Sequence, residues 1–376
     1  MRFLIQWMRK RDSYDKTYFE EFYIKRGVEK IRNSSVELFR IISMLIIIAH
    51  HYVVNSGLLE VINESNHLEE NDIFLLLFGW GGKTGINCFI LVTGYYMCTS
   101  KITLKKYIKL LSERYFYAIV FFFIFLVTGY MTFSIKDFLK VLIPFFNISD
   151  GFVSCFLLFY LLIPFLNKLI RVLNEKEHAI LLLILLFIYT ILPSFMKATV
   201  TFNYVTWFCV LYFIASFLRL YSKKWMENTR LWAALTIISL LLSWTSVVLF
   251  AYIGKIIKNT EIIYFLVSDS NKVLALTTGI TAFMLFKNIK LKQHKWINLI
   301  ASSTFGVLLI HANSDAMRQW LWKDMLQNVT FYNSSYLILH AIISVLVVFV
   351  VCTIIDQIRI KLIENPMMRL IWKEKV

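Results

Sequence analysis

Charge is what this chain has least of. Only 17% of its 376 residues are Asp, Glu, Lys or Arg, against about 25% in an average soluble domain. Proline and glycine are also scarce, with 4 and 12 occurrences, so helices are expected to run largely unbroken. The five cysteines (Cys88, Cys98, Cys155, Cys209 and Cys352) form no CxxC pair and share no metal-like spacing with histidine. They read as core thiols, and no metal is expected. No internal repeat, low-complexity tract or soluble domain stands out. The first 32 residues lack the clean apolar stretch of a cleavable signal peptide.

What is present is apolar. Hydrophobic residues make up 58% of the chain, 33 of them Phe, and mean hydropathy is +0.64. Ten runs read as membrane crossings, near residues 36–54, 74–97, 115–133, 151–170, 179–194, 203–220, 231–252, 272–287, 297–313 and 336–358. The expected fold is an all-α polytopic membrane helix bundle with about ten transmembrane helices. The apolar piece 138–146 is too short to span and suits a re-entrant or interfacial helix.

The loops give the bundle a direction. Those on one side carry 30 Lys and Arg, those on the other 8, and Arg40 and Lys83 fall inside spans. The positive-inside rule then puts both termini in the cytoplasm. The formal charge of +16 is a topology signal, with no nucleic-acid partner implied. Residues 1–33 form a basic arm suited to anionic membrane lipids. Residues 34–360 form the transmembrane domain, and 361–376 a basic cytoplasmic tail. The loop 55–73 is acidic and faces outward.

Ionisable groups inside apolar spans are costly and are functional candidates by default. Glu37, Arg40 and His51 occupy the first span. An eleven-residue step returns to within about 20° of the same helix face and covers roughly 16 Å. Arg40 and His51 therefore share a stripe, while His50 lies about 80° away from it. Ser34 and Glu37 have the spacing of a capping box, although Glu37 also stands one turn from Arg40. Arg40 alone fits a snorkelling anchor, and His51 alone fits an interfacial histidine. Asn87 and Lys83 suit a cavity wall better than lipid. The glycine-rich stretch 79–85 lacks the setting of a phosphate loop and suits close helix approach.

Four segments together resemble the acyltransferase family 3 membrane proteins. Val36-Glu37-Leu38-Phe39-Arg40-Ile41-Ile42 with His50-His51-Tyr52 resembles the family's first-helix motif, an Arg or Lys, ten residues, then His. Gly85 to Tyr95 resembles its second-helix signature, ending here in Thr93-Gly94-Tyr95. Phe159 to Asn167 and Ser303 to His311 resemble two later segments. One departure stands at Asp150-Gly151-Phe152, where relatives often carry Tyr-Trp-Phe. Some relatives carry a fused esterase-like domain, and none is expected here.

The resemblance implies O-acyl transfer, most simply of acetyl, from cytoplasmic acetyl-CoA or another acyl-CoA. The acceptor would be a hydroxyl of a cell-surface sugar or polysaccharide, in a bacterial plasma membrane. It implies that His51 is the base or an acyl carrier, with Arg40 and Glu37 as further catalytic residues. Asn87, Thr93, Tyr95 and His311 would contact substrates. Lys101, Lys105 and Lys106, with Arg114 behind them, would join Arg40 in a basic inner face for the donor phosphates. The competing class is a transporter or flippase, but inverted repeats and broken mid-membrane helices are not evident. A regulatory scaffold is a third class, with no feature in its favour.

Overall fold

The computed structural model describes residues 33–65, 67–100, 102–145, 151–196 and 203–372. The basic arm up to residue 32, Lys101, Asp150 and the last four residues lie outside the described residues. Among those described, every regular element is helical.

Each of the ten apolar runs is a helix. These are α1 (Ser34–Val54), α2 (Glu70–Met97), α3 (Leu104–Val127), α4 (Phe152–Val172), α5 (Glu175–Phe195), α6 (Tyr204–Leu220), α7 (Thr229–Ile256), α8 (Val273–Asn288), α9 (Lys295–His311) and α10 (Leu337–Ile371). Among the described residues, seven of them are long and apolar enough to cross a membrane alone. An eighth span forms if α9 is joined to Asp315–Phe331, from which it bends by 95°. The remaining two, α6 and α8, have 17 and 16 residues, at the short limit for a crossing.

Polar caps start several of these helices. Asn33, Thr103, Asn174, Asn203 and Asn228 each accept a backbone N–H from the first turn, which satisfies a donor that the helix itself cannot. The capping box expected from Ser34 and Glu37 does not form. Asn33 is the cap, and the Ser34 hydroxyl instead donates to Asn298 Oδ1 at 3.0 Å and accepts from the His294 N–H. The helix starts one residue earlier than that box requires, and Ser34 ties α1 to α9.

Helices α1 and α2 form the centre. α1 packs against α2, α8, α9 and α10, and α2 also against α6 and α8. Glycines make the central contact close. A Cβ on Gly79, Gly81, Gly82 or Gly85 would overlap Val53, Ile46, His50 or Ile47 of α1 respectively. Close helix approach, expected of this stretch, is therefore its structural role. α2 itself breaks at Trp80–Gly81. α3, α5 and α7 are the least buried spans and present side chains such as Phe123, Leu183 and Leu241 outward. All five cysteines are free thiols, and four are buried.

The short apolar piece becomes an amphipathic helix, Ile135–Leu142, with no buried side chain. Arg114 and Tyr115 of α3 donate to its last carbonyls, at Lys140, Val141 and Leu142. Arg114 thus holds this helix in place.

Candidate active site

Two histidines meet at one end of α1. His51 Nδ1 lies 3.0 Å from His311 Nε2, where α9 ends. His311 Nδ1 lies 2.6 Å from the Val307 carbonyl one turn earlier. A carbonyl only accepts, so the Nδ1 of His311 carries the proton. In a neutral ring its Nε2 is then an acceptor, and His51 Nδ1 must donate to it. These tautomers are assigned from the hydrogen-bond network. The relay leaves the lone pair of His51 on Nε2, where no described residue bonds it. His311 is fully buried, whereas His51 is half-buried.

The neighbours of His51 face elsewhere. His50 Nδ1 donates to the Gly79 carbonyl at 2.6 Å, where α2 breaks, and its ring sits against Gly82. Tyr52 pairs with His340 Nδ1 at 2.8 Å, and its carbonyl accepts from Asn328. His340 in turn stacks on Phe331, with 3.8 Å between ring centroids. Three consecutive residues therefore hold three different partners, and among them only His51 joins a second imidazole relayed to a carbonyl.

The other end of α1 is charged and open. Arg40 Nη1 lies 3.6 Å from Glu37 Oε2, beyond hydrogen-bond distance, and that oxygen is buried without a hydrogen-bond partner. Arg40 lines a cavity of about 470 Å³ together with Lys109, Lys295, Asn298, Ser302 and Arg359. One wall is a buried ionic brace. Arg359 donates to Asp356 and Glu364 at 2.8 Å each and lies 3.2 Å from Glu113. Lys109 reaches Glu364 at 2.6 Å, and Tyr117 donates to Asp356 at 2.8 Å. Gly306 lets α9 approach here, because a Cβ would collide with the Asp356 carboxylate. A π turn, Ile360–Glu364, carries Glu364 back to the guanidinium.

The remaining candidates join neither the relay nor the cation-lined cavity. Asn87 is fully buried, donating to the Ser270 carbonyl and accepting from Trp207 Nε1. It joins α2, α6 and the loop before α8. The Thr93 hydroxyl returns to the Phe89 carbonyl of its own helix. Tyr95 accepts from Arg219 Nη1 at 2.9 Å, under the same guanidinium. Lys105 and Lys106 occupy the first turn of α3 and do not line the cavity.

Sequence reasoning missed Lys109, Lys295 and the Arg359 brace. Asp356 carried a usable signal, since a carboxylate in the last apolar run is as costly as Arg40 in the first. Lys109 and Lys295 carried none, because loop-end lysines are ordinary in membrane proteins. Among the described residues, no group of three His, Cys, Asp or Glu side chains is arranged to hold a metal ion.

A lone pair at one end of α1 and a cation-lined cavity at the other suit transfer of a group from an anionic carrier. A family model described as an acyltransferase domain, that of acyltransferase family 3, matches residues 33–357. The chain belongs to this family and is a multi-pass membrane acyltransferase. No curated protein and no solved structure matches it.

Proposed function

We propose that the protein is an O-acyltransferase moving an acyl group, most simply acetyl, from acyl-CoA to a hydroxyl of a cell-surface sugar or polysaccharide intermediate. The observation that carries this reading is the lone pair left on His51 Nε2 by the Val307–His311–His51 relay. Acyl transfer to a hydroxyl needs a base at that atom. Transport without acyl transfer would give that lone pair nothing to do.

The chemistry follows from the relay. His51 Nε2 removes the proton from the acceptor hydroxyl. The oxygen attacks the thioester carbonyl, the C–O bond forms, and the C–S bond breaks. The imidazolium then returns the proton to the departing CoA thiolate. As His51 gains charge, His311 Nε2 continues to accept from its Nδ1 and steadies the ring.

The donor fits the cavity at the other end. Arg40, Lys109 and Lys295 line it, and charge-assisted bonds from such cations suit phosphates. In our reading Lys109 and Lys295 take the role expected of Lys105 and Lys106, and Lys101 lies outside the described residues. The Arg40–His51 stripe between the two ends is filled by Met44, Ile47 and Ile48, each at most 5% exposed. An acyl arm travelling along it must part these side chains, and Met44 is the most adaptable of the three. The excess of basic residues on the Arg40 side supports a cytoplasmic donor and cytoplasmic termini, in a bacterial plasma membrane.

The test is mass spectrometry of envelope glycans from cells with the wild-type gene, with His51→Ala, and without the gene. Loss of one acyl mass in both altered strains, at equal protein abundance, is the expected result. An unchanged acyl mass in His51→Ala cells would falsify the reading.

A further inference from the structure

A second polar cluster at the His51 end has no part in the relay. Lys83 follows Gly82, the residue on which His50 sits. Its ammonium donates to the Tyr204 hydroxyl at 2.7 Å and lies 3.5 Å from Asp269 Oδ1. Tyr204 donates to the same oxygen at 3.3 Å, and the Ser270 N–H at 2.7 Å. Every described bond to the Asp269 carboxylate falls on Oδ1, and Oδ2 is left without a described partner. The Lys83 and Asp269 side chains remain 29% and 34% exposed. A purely structural ion pair inside a bundle is normally closed off and saturated, because desolvated charge is costly. This one is open on one side.

We propose that Lys83, Tyr204 and Asp269 form the acceptor subsite, binding a neutral polyhydroxylated ring whose reacting hydroxyl is presented to His51. Asp269 Oδ2 accepts from a ring hydroxyl, and the Lys83 ammonium donates to a neighbouring one. Tyr204, buried and stacked on Phe208, fixes the positions of the ammonium and the carboxylate through its hydroxyl. The ammonium and carboxylate cancel, so the subsite attracts neither anionic nor cationic acceptors. This assignment rests on the acyl-transfer reading and deepens it.

The test separates acceptor from donor. Membranes holding the full-length protein are given labelled acetyl-CoA and envelope glycan purified from cells lacking the gene, each varied in turn. In Asp269→Asn the glycan concentration for half-maximal labelling should rise about tenfold, the worth of one charge-assisted hydrogen bond. The acetyl-CoA concentration for half-maximal labelling should stay where it is in wild type. Tyr204→Leu, which keeps the Lys83–Asp269 pair, should shift the glycan value in the same direction and guards against an Asp269 variant that fails to fold. The exchange Lys83→Asp with Asp269→Lys keeps an ion pair but not the subsite, and should stay impaired. An unshifted glycan value, a shift in the donor value alone, or full recovery in the exchanged pair would overturn the assignment. Absence of His51-dependent labelling in wild type would instead sink the acyl-transfer reading itself.

Discussion

The two ends of α1 solve opposite electrostatic problems. At the Arg40 end, charge is gathered. A guanidinium buried to 4% exposure meets three carboxylates, and three further cations line the adjoining cavity. At the His51 end, the relay of two imidazoles and a carbonyl is assembled from neutral groups. Charge suits the recognition of an anionic carrier, since charge-assisted bonds are about twice as strong as neutral ones. A base has the opposite need, because an imidazole that is already protonated has no lone pair to use. One helix separates the two tasks by its own length.

The sharpest way to break this contrast is at His51. His51→Ala should lower acyl transfer by about 10²–10⁴-fold, the usual worth of a general base, with the protein still present in the membrane. Labelling of envelope glycan from acetyl-CoA measures it. The wild-type rate should also fall on acidification as His51 takes up a proton, which a pH series of the same assay checks.

Removing the buried cation tests the other end. Arg359→Met leaves Asp356, Glu364 and Glu113 without their shared partner. It should cost about 3–5 kcal/mol of stability, as breaking a buried ion pair does. Thermal unfolding of the purified protein in detergent reads this out, and an unshifted transition would show that the brace is not a structural element.

A smaller effect should separate binding from chemistry. Arg40→Ala should raise the acetyl-CoA concentration for half-maximal rate about tenfold or more, the value of one lost bond to a charged group. The rate at saturating donor should change little. If the saturating rate collapsed instead, Arg40 would belong with His51 and the division between the ends would fail. Smallest of all, Gly82→Ala pushes a Cβ into His50 and should cost about 1–3 kcal/mol through overpacking. A matching thermal shift would confirm that the seam between α1 and α2 is closed there.

Much of this was legible in the sequence because membrane helices advertise themselves. Every apolar run became a helix, since a bilayer leaves the backbone few other ways to satisfy its hydrogen bonds. Helical phase alone separated His51 from His50, and the geometry gives the two rings different partners. His311, expected from the resemblance to contact a substrate, lies 3.0 Å from His51. The brace was hidden for a different reason. Arg359, Glu113 and Glu364 lie just beyond the ends of apolar runs, where charge is common, and only the tertiary approach of α3, α9 and α10 makes them a unit. Ser34 misled because the capping-box pattern is local, whereas its hydroxyl is taken by Asn298, which is 264 residues away.

The spacing of Arg40 and His51 also makes α1 a measuring rod. Its eleven residues set roughly 16 Å between the anchoring guanidinium and the base, and the glycine contacts keep its register against α2. A carrier held by its phosphates at one mark delivers its acyl carbon to the other only if its arm matches that interval. A short activated donor such as acetyl phosphate, held by the same cations, would stop well below His51. Under the proposed reaction the helix thus selects its donor by reach as well as by charge.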